Sequence, residues 1–206
     1  MWFSVLIGIL TSYLLGNLNG AVCMSALMHD DVRSHGSGNA GLTNFIRNYG
    51  IGRAVYVVLI DAGKAALGCV VTGLLLKSYG LYIEGAALGG LGVMLGHNFP
   101  ALLGFKGGKG ILSGMFIALV VDWRIALVIL AVFLAAYLLT QYVSLGSVLA
   151  AVAFCVGFVV FYHNNLIVML CGVTMGVMAV FMHRGNIVRL LKGEERKTNL
   201  FGKGKK

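Results

Sequence analysis

Apolar residues run through most of the chain in seven stretches that short polar segments separate. The stretches cover residues 2–28, 54–76, 81–103, 111–121, 125–139, 143–162 and 166–182. Most contain the roughly 20 residues that an α-helix needs to cross a bilayer, so the pattern predicts an all-α integral membrane protein. The stretches 111–121 and 125–139 are short, and together they could form one long helix broken at 122–124.

Basic residues decide between seven spans and six. With seven spans, one side carries thirteen lysines and arginines, whereas the other carries Lys77 and Arg124. The richer side consists of residues 29–53, 96–110, 140–142 and 183–206. Because cytoplasmic loops are enriched in lysine and arginine, we predict seven transmembrane helices, with the amino terminus outside and the carboxyl terminus in the cytoplasm. Six spans would place Arg124 in hydrocarbon, at a cost of about 3 kcal/mol.

The composition excludes several classes of protein. Hydrophobic residues make up 59% of the 206 positions and charged residues 11%, which is too few charges for a soluble enzyme or a disordered chain. The 30 glycines include repeats at four-residue spacing, such as Gly16 and Gly20, which are typical of closely packed membrane helices. The net charge of +9 indicates cytoplasmic loops and an anionic ligand, with no nucleic acid partner. Four cysteines without a C-x-x-C pair predict neither a disulfide nor a metal site, and we expect no cofactor.

Three polar segments hold the residues that could do chemistry, and they are residues 33–47, 96–110 and 183–197. An even number of predicted spans separates each segment from the next. All three therefore lie on the same face of the membrane. They could form one site within a single domain, residues 1–206.

Segment 96–110 has the composition of a phosphate-binding loop. Four glycines surround two lysines just before a predicted helix, and these residues are Gly104, Lys106, Gly107, Gly108, Lys109 and Gly110. Glycines let successive N–H groups converge on an anion, and the helix amino terminus adds positive charge. The spacing does not match a P-loop, which requires a serine or threonine at position 110. A flexible basic loop that touches anionic lipid headgroups is the alternative.

The other two segments offer hydrogen-bonding groups. The first alternates glycines with polar side chains and then supplies a guanidinium: Gly36, Ser37, Gly38, Asn39, Gly41, Thr43, Asn44 and Arg47. Such a set suits a polyol phosphate, and a glycine-rich turn before an amphipathic helix is the alternative. In the third segment His183 and Asn186 would share one helix face, although such a lone pair more often marks a helix terminus than a site.

Two charged residues lie inside a predicted span. Asp61 and Lys64 are three residues apart, and charged residues in a span usually pair and face the protein interior. We expect a structural ion pair, with a supporting role near the site as the alternative. Glu84 and Asp122 are expected at the outer interface, close to basic residues there.

The three segments resemble the signature motifs of a known family. They read GSGNAGLTN (36–44) followed by Arg47, GHNFPALLGFKGGKG (96–110) and HRGNIVRLLKGEERK (183–197). In sequence and order these are similar to the motifs of bacterial acyl-phosphate-dependent glycerol-3-phosphate acyltransferases. The resemblance implies a seven-helix protein of the bacterial cytoplasmic membrane whose active site faces the cytosol. Glu194 departs from the family pattern, in which a small residue, often threonine, is expected.

The resemblance also implies a reaction. A fatty acyl group passes from acyl phosphate to the 1-hydroxyl of glycerol 3-phosphate, which gives lysophosphatidic acid and inorganic phosphate in the first acylation of phospholipid biosynthesis. The residues implied around glycerol 3-phosphate are Ser37, Arg47, Lys106, His183 and Asn186, of which Ser37, Lys106 and His183 are implied to be catalytic. The acyl-phosphate clamp corresponds to Gly107, Gly108, Lys109 and Gly110. Motif positions without an assigned role are Asn39, Thr43, Asn44 and His97.

The residue inventory agrees with this chemistry. Acyl phosphate is an activated mixed anhydride, so no covalent enzyme intermediate is needed, and the sequence shows no G-x-S-x-G elbow and no His-x-x-x-x-Asp motif of the other glycerolipid acyltransferase class. Catalysis would rest on positioning and on stabilising negative charge. The base is either a substrate phosphate or one of His97 and His183.

Two other functions fit part of the pattern. A membrane transporter of an organic phosphate also needs basic, glycine-rich loops, but it predicts binding groups near the midplane and on both faces. A structural membrane protein whose tail binds anionic lipid from Lys192 onward would leave the other two segments unexplained.

Overall fold

The computed structural model of the protein describes residues 1–198, which are helical with connecting loops and contain no strand. The α-helices are α1 (Trp2–Asn17), α2 (Gly20–Ala26), α3 (Leu42–Tyr49), α4 (Ile51–Lys77), α5 (Tyr82–Asn98), α6 (Ile111–Val121), α7 (Trp123–Thr140), α8 (Val143–Tyr162), α9 (Leu166–Met182) and α10 (Arg184–Leu191). Short 3-10 helices, Val32–Ser34 and Ala101–Leu103, lie in the loops before α3 and α6. Three lysines of the predicted basic tail, Lys203, Lys205 and Lys206, fall outside the described residues.

The helices are those of a membrane protein. Within residues 1–198, α4, α5 (extended to Leu103), α7 and α8 are each long and apolar enough to cross a bilayer. Two bent pairs, α1 with α2 (43°) and α9 with α10 (54°), raise the number of candidate spans to six if each pair counts as one. The predicted span 111–121 is α6, whose 11 residues rise about 16 Å, roughly half of a hydrocarbon core. Helix length and composition therefore account for four to six of the seven predicted spans.

Residues 111–139 form two helices with a break at Asp122. This residue is extended, and its carboxylate caps α7 by accepting a hydrogen bond from the Arg124 N–H at 2.9 Å. An ion pair of 2.6 Å joins the same carboxylate to the Arg124 guanidinium, as expected for an interfacial pair. Glu84 instead accepts a hydrogen bond from Asn165 Nδ2 at 2.7 Å.

Glycines bring α1, α4 and α5 into backbone contact. A methyl group added at Gly16 of α1 would lie 2.8 Å from the Gly96 Cα atom of α5. One added at Gly85 of α5 would lie 2.6 Å from the Thr72 carbonyl oxygen of α4. Only glycine fits at such close approaches. The four-residue glycine spacing of the sequence therefore serves contacts within one chain.

Two apolar clusters hold the bundle together. The larger cluster fills the space between α5, α6, α8 and α9, where Met94, Ile117 and Phe158 are almost completely buried. The smaller cluster lies beneath α3 and includes the fully buried Phe45 and Val57. Because this cluster anchors α3 to α4, it also fixes the glycine-rich segment that leads into α3.

Candidate active site

A cavity of about 620 Å³ opens where the three polar segments meet. The predicted site residues that line it are Ser37, Asn39, Thr43, Asn44, Arg47, His97, Lys109, Gly110, His183 and Asn186. The structure does not place Lys106, Gly107 or Gly108 in the lining of this cavity. The convergence deduced from the even number of spans is therefore observed for all three segments, although not for every residue.

Asn44 organises segment 33–47. Its Nδ2 atom donates to three loop carbonyl oxygens at 2.9, 3.0 and 3.1 Å, and its Oδ1 atom accepts from the Ser37 N–H at 3.0 Å. Gly36 and Gly38 supply the positive φ angles, +59° and +69°, that this tight loop requires. Asn44 is buried, and it fixes the loop that presents Ser37 to the cavity.

Arg47 reaches the cavity from α3, two residues after the buried Phe45. Its Nη2 atom donates a hydrogen bond to the Thr198 hydroxyl. The Thr198 carbonyl oxygen accepts from the Tyr137 hydroxyl at 3.0 Å, and the Thr198 N–H donates to the Gln141 carbonyl oxygen at 3.0 Å. These bonds hold the end of the described chain beside Arg47.

Segment 96–110 folds back against the end of α5. The Gly108 N–H donates to the His97 carbonyl oxygen at 3.0 Å. Gly110 has a φ of +82° and precedes the first turn of α6, whose N–H groups lack intrahelical partners. Residues 110–112 line the cavity, so the positive end of the α6 dipole lies at its wall.

The two lysines of this segment occupy different places. Lys106 is exposed on the loop outside the cavity lining. Lys109 lines the cavity, and its Nζ atom donates to Asn186 Oδ1 in α10. Burial lowers the pKa of Lys109 to about 8, although the nearby Glu195 carboxylate opposes that shift. Lys109 remains a cation at neutral pH and supplies the charge of this segment to the cavity.

Glu195 ties the third segment together. It accepts hydrogen bonds from Asn186 Nδ2 at 3.0 Å and from Arg189 Nε at 2.8 Å, and its side chain is only 6% exposed. Both Glu195 and Arg189 line the cavity. Neither residue was singled out from the sequence. A glutamate among basic tail residues is usually solvated, so Glu195 was passed over. The signal that could have found it is its position inside the third motif, HRGNIVRLLKGEERK, where its neighbour Glu194 is exposed.

His183 lies just after α9, at the wall of the cavity, and is 3% exposed. Its Nδ1 atom is 2.7 Å from the Ala179 carbonyl oxygen. Because a carbonyl can only accept, Nδ1 carries the proton. Burial lowers the pKa of His183 to about 4, so the ring is neutral at physiological pH and Nε2 holds a lone pair.

The expected ion pair between Asp61 and Lys64 is present, and it includes a third residue. Lys64 Nζ lies 2.7 Å from Asp61 Oδ1, 2.7 Å from His97 Nδ1 and 2.6 Å from the Leu18 carbonyl oxygen. Asp61 Oδ1 also accepts from the Gly20 N–H at 3.2 Å. Asp61 and His97 line the cavity, so the pair supports the site as well as the fold.

Apolar side chains form the rest of the cavity wall. They come from α6, α7 and α8 and include Leu112, Met115, Ile129, Leu130, Phe133, Val143 and Ala150. One cavity thus joins a polar end rich in cations and amides to an apolar arm. That combination suits a ligand with an anionic head and a hydrocarbon tail.

Comparison with known proteins identifies the family. The family model described as glycerol-3-phosphate acyltransferase matches residues 6–193. The glycerol-3-phosphate acyltransferase of Finegoldia magna is 36% identical over 95% of this chain and 96% of its own length. That of Synechococcus sp. strain CC9902 is 38% identical over 98% of this chain and its full length.

Two crystal structures of PlsY, an integral membrane glycerol 3-phosphate acyltransferase, share the fold. The glycerol 3-phosphate form has a TM-score of 0.85 and 31% identity, and it covers 97% of this chain and 100% of that one. The lysophosphatidic acid form has a TM-score of 0.81 and 30% identity, with 96% of each chain covered. Sequence and fold agree over nearly the whole length, and the chain belongs to the glycerol-3-phosphate acyltransferase family of integral membrane acyltransferases.

Proposed function

We propose that the protein transfers a fatty acyl group from acyl phosphate to the 1-hydroxyl of glycerol 3-phosphate. The products are lysophosphatidic acid and inorganic phosphate, and the reaction is the first acylation of phospholipid biosynthesis. The observation that carries the proposal is one cavity with two parts. Segments 33–47 and 96–110, whose composition suits phosphate groups, form its polar end together with segment 183–197, and apolar side chains form the rest of its wall. The PlsY structures, in glycerol 3-phosphate and lysophosphatidic acid forms, support it. Membership of an acyltransferase family disfavours the transporter alternative.

The polar end offers places for two phosphate groups. Arg47, His183 and Asn186, with Ser37 on the glycine-rich loop, are proposed to hold glycerol 3-phosphate. The loop Gly107–Gly110 and the first turn of α6 are proposed to hold the phosphate of the acyl donor, with Lys109 supplying the charge. Lys109 and Gly110 line the cavity, whereas Gly107 and Gly108 are included on the resemblance alone. The acyl chain would then run along the apolar arm.

Lys106 stays in the proposed glycerol 3-phosphate site on the resemblance alone, because it lies outside the cavity lining. Asn39 and Thr43 line the cavity beside Ser37 and are available to the same ligand. Asn44 acts through the loop that it organises.

The reaction needs no covalent intermediate. The 1-hydroxyl oxygen bonds to the acyl carbon, the acyl–phosphate bond breaks, and inorganic phosphate leaves. The hydroxyl proton goes to a phosphate oxygen, because a phosphate with a second pKa of about 6 is a stronger base than His183, whose pKa is lowered to about 4. His183 Nε2 then accepts a hydrogen bond and helps to orient the substrate.

We propose that the protein has seven spans in the bacterial cytoplasmic membrane, with the amino terminus outside and the active site facing the cytosol. Ten of the thirteen basic residues on the proposed cytosolic side lie in the described part of the chain, and the three polar segments among them line one cavity. The seventh span would be α6, which enters the bundle only partway. Cysteine-accessibility labelling in inverted and right-side-out vesicles distinguishes the two orientations.

The central experiment measures phosphate release by detergent-purified protein. Palmitoyl phosphate should release phosphate only when glycerol 3-phosphate is present, and mass spectrometry should detect lysophosphatidic acid in equal amount. Equally efficient transfer from palmitoyl-CoA would overturn the acyl phosphate assignment. Uptake of glycerol 3-phosphate by proteoliposomes without acylation would favour the transporter.

A further inference from the structure

The hydrogen bonds of Lys64 determine which nitrogen of His97 carries the proton. An ammonium group has three N–H donors and no acceptor. The three short contacts of Lys64 Nζ go to Asp61 Oδ1, the Leu18 carbonyl oxygen and His97 Nδ1, at 2.7, 2.6 and 2.7 Å. Each partner must accept, so His97 Nδ1 carries no proton. A neutral imidazole then has its proton on Nε2.

The Nε2 edge of His97 faces the loop before α6. A methyl group added at Gly108 would strike Nε2 and would lie 2.8 Å from Cε1. Glycine at this position therefore keeps the N–H group open. His97 is a lining residue of the cavity, and among residues 1–198 no side chain or carbonyl accepts a hydrogen bond from Nε2. His97 is thus a neutral donor aimed beside the loop that is proposed to hold the acyl phosphate.

From this geometry we infer that His97 is a catalytic residue that donates from Nε2 to the carbonyl oxygen of the acyl donor, and that Lys64 and Asp61 are its positioning residues. The inference rests on the proposed function. As the glycerol hydroxyl adds to the acyl carbon, negative charge develops on the carbonyl oxygen and the Nε2–H bond strengthens. When the acyl–phosphate bond breaks, the carbonyl re-forms and His97 still has its proton. His97 is therefore a hydrogen-bond donor and not the base of the reaction.

The Asp61–Lys64 pair explains how a donor can stay fixed in the bundle. The Asp61 carboxylate offsets the Lys64 charge and is itself held by the Gly20 N–H at 3.2 Å. Three helical elements thus converge on the Lys64 ammonium group, since Leu18 follows α1, Asp61 and Lys64 lie in α4, and His97 lies in α5. A donor fixed before the reaction begins needs no reorganisation when charge develops.

Kinetic constants of His97 variants test the inference. His97→Phe keeps the ring shape and removes both nitrogens, and kcat should fall about 100- to 1000-fold while the KM for palmitoyl phosphate changes less than threefold. His97→Gln retains an N–H near the Nε2 position and should recover at least tenfold over His97→Phe. His163→Gln, a change in an exposed histidine after α8, is the matched control and should keep wild-type rates.

A rise in KM for palmitoyl phosphate with unchanged kcat, or a fully active His97→Phe variant, would overturn the carbonyl assignment. The wild-type enzyme in the same assay separates this failure from that of the proposed function. If the wild type uses another acyl donor instead, the His97 comparison is repeated with that donor.

A second measurement needs no active variant. In ¹⁵N-histidine-labelled wild-type protein, His97 Nε2 should be protonated and Nδ1 unprotonated from pH 6 to 9 without substrate. A proton on Nδ1 would overturn the inference.

The double variant Asp61→Asn/Lys64→Met tests the positioning role. It removes both charges together, so that neither remains buried and unpaired. It should fold, lose the single His97 tautomer and show at least a tenfold lower kcat; a folded double variant with wild-type kcat would remove the positioning role.

Discussion

His183 Nδ1 donates a hydrogen bond to the Ala179 carbonyl oxygen 2.7 Å away, one helical turn earlier. The bond fixes the ring orientation and leaves the Nε2 lone pair as its remaining polar group. His183 and His97 therefore present opposite tautomers to one cavity, an acceptor and a donor. The sequence offered both histidines as candidate bases, and the structure gives them different polar groups at the cavity.

Replacing His183 should weaken the binding of glycerol 3-phosphate and leave the shape of the pH profile of kcat/KM unchanged. His183→Phe is expected to lower kcat/KM for glycerol 3-phosphate about 10- to 100-fold, because one hydrogen bond to the substrate is lost. With a pKa of about 4, His183 stays neutral from pH 5.5 to 9, and the wild-type profile should show no step near pH 6.5 from this ring. A His183→Phe profile that loses a step near pH 6.5 would contradict the neutral assignment.

Lys109 should set an alkaline limit on activity. Its pKa of about 8 means that the free enzyme loses this cation as the pH rises through 8. The value of kcat/KM for palmitoyl phosphate should therefore be highest below pH 7.5 and fall above pH 8. Lys109→Arg should move the fall to higher pH, and Lys109→Met should abolish it along with most activity. Lys77→Met, in an exposed residue at the end of α4, is the control and should keep the wild-type profile.

Glu195 and Glu194 provide a matched pair of neighbours. Glu195→Ala removes the common partner of Asn186 and Arg189 and should lower the free energy of unfolding by about 1–3 kcal/mol. The KM for glycerol 3-phosphate should rise as well, because Asn186 loses its orientation. Glu194→Ala, at an exposed side chain, should change neither quantity. Thermal unfolding and initial rates measure the two effects, and equal behaviour of the two variants would refute the structural role of Glu195.

Single alanine variants test the glycerol 3-phosphate site. Ser37→Ala, Arg47→Ala and Lys106→Ala should each abolish transfer while the protein still inserts and elutes as a folded species. For Lys106 this expectation comes from the family resemblance, because the side chain lies outside the cavity lining. Near-normal activity of purified Lys106→Ala would leave Lys109 as the lysine that serves the site. Near-normal activity of Arg47→Ala would move the phosphate site elsewhere.

The apolar arm should select the acyl chain. Ala150 is 1% exposed and lines the arm, so Ala150→Met shortens the space for a hydrocarbon chain. The ratio of kcat/KM for palmitoyl over lauroyl phosphate should fall about fourfold for each methylene that no longer fits. Val152→Met, at an exposed position of α8 outside the cavity, should leave the ratio unchanged. An unchanged ratio in Ala150→Met would mean that the chain lies elsewhere.

Much of the architecture could be predicted because membrane spans and charge bias are properties of the sequence alone. The predicted even number of spans between segments 33–47, 96–110 and 183–197 put them on one face, and residues of all three line one cavity. The three-residue spacing of Asp61 and Lys64 inside one apolar helix predicted their ion pair, which the structure contains. Each of these inferences needs no knowledge of how helices pack.

The remaining features depend on packing that the sequence does not display. His97 meets Lys64 across two helices, 33 positions away along the chain. Glu195 is buried because the segment after α10 turns back over Asn186, whereas its composition suggests a solvated tail. The loop conformation, and not the residue type, places Lys109 in the cavity and Lys106 outside it.

The short helix α6 connects the polar end of the cavity to its apolar arm. Its amino terminus lies at the polar end of the cavity, and it forms part of the apolar wall. The proposed water-soluble acceptor, glycerol 3-phosphate, and the proposed lipid-soluble donor, acyl phosphate, can thus meet at one point while each stays in its own phase. In the proposed reaction, inorganic phosphate returns to water after transfer and the new ester remains with the lipid. The two products therefore partition into different phases, and their separation favours the forward direction of the acylation.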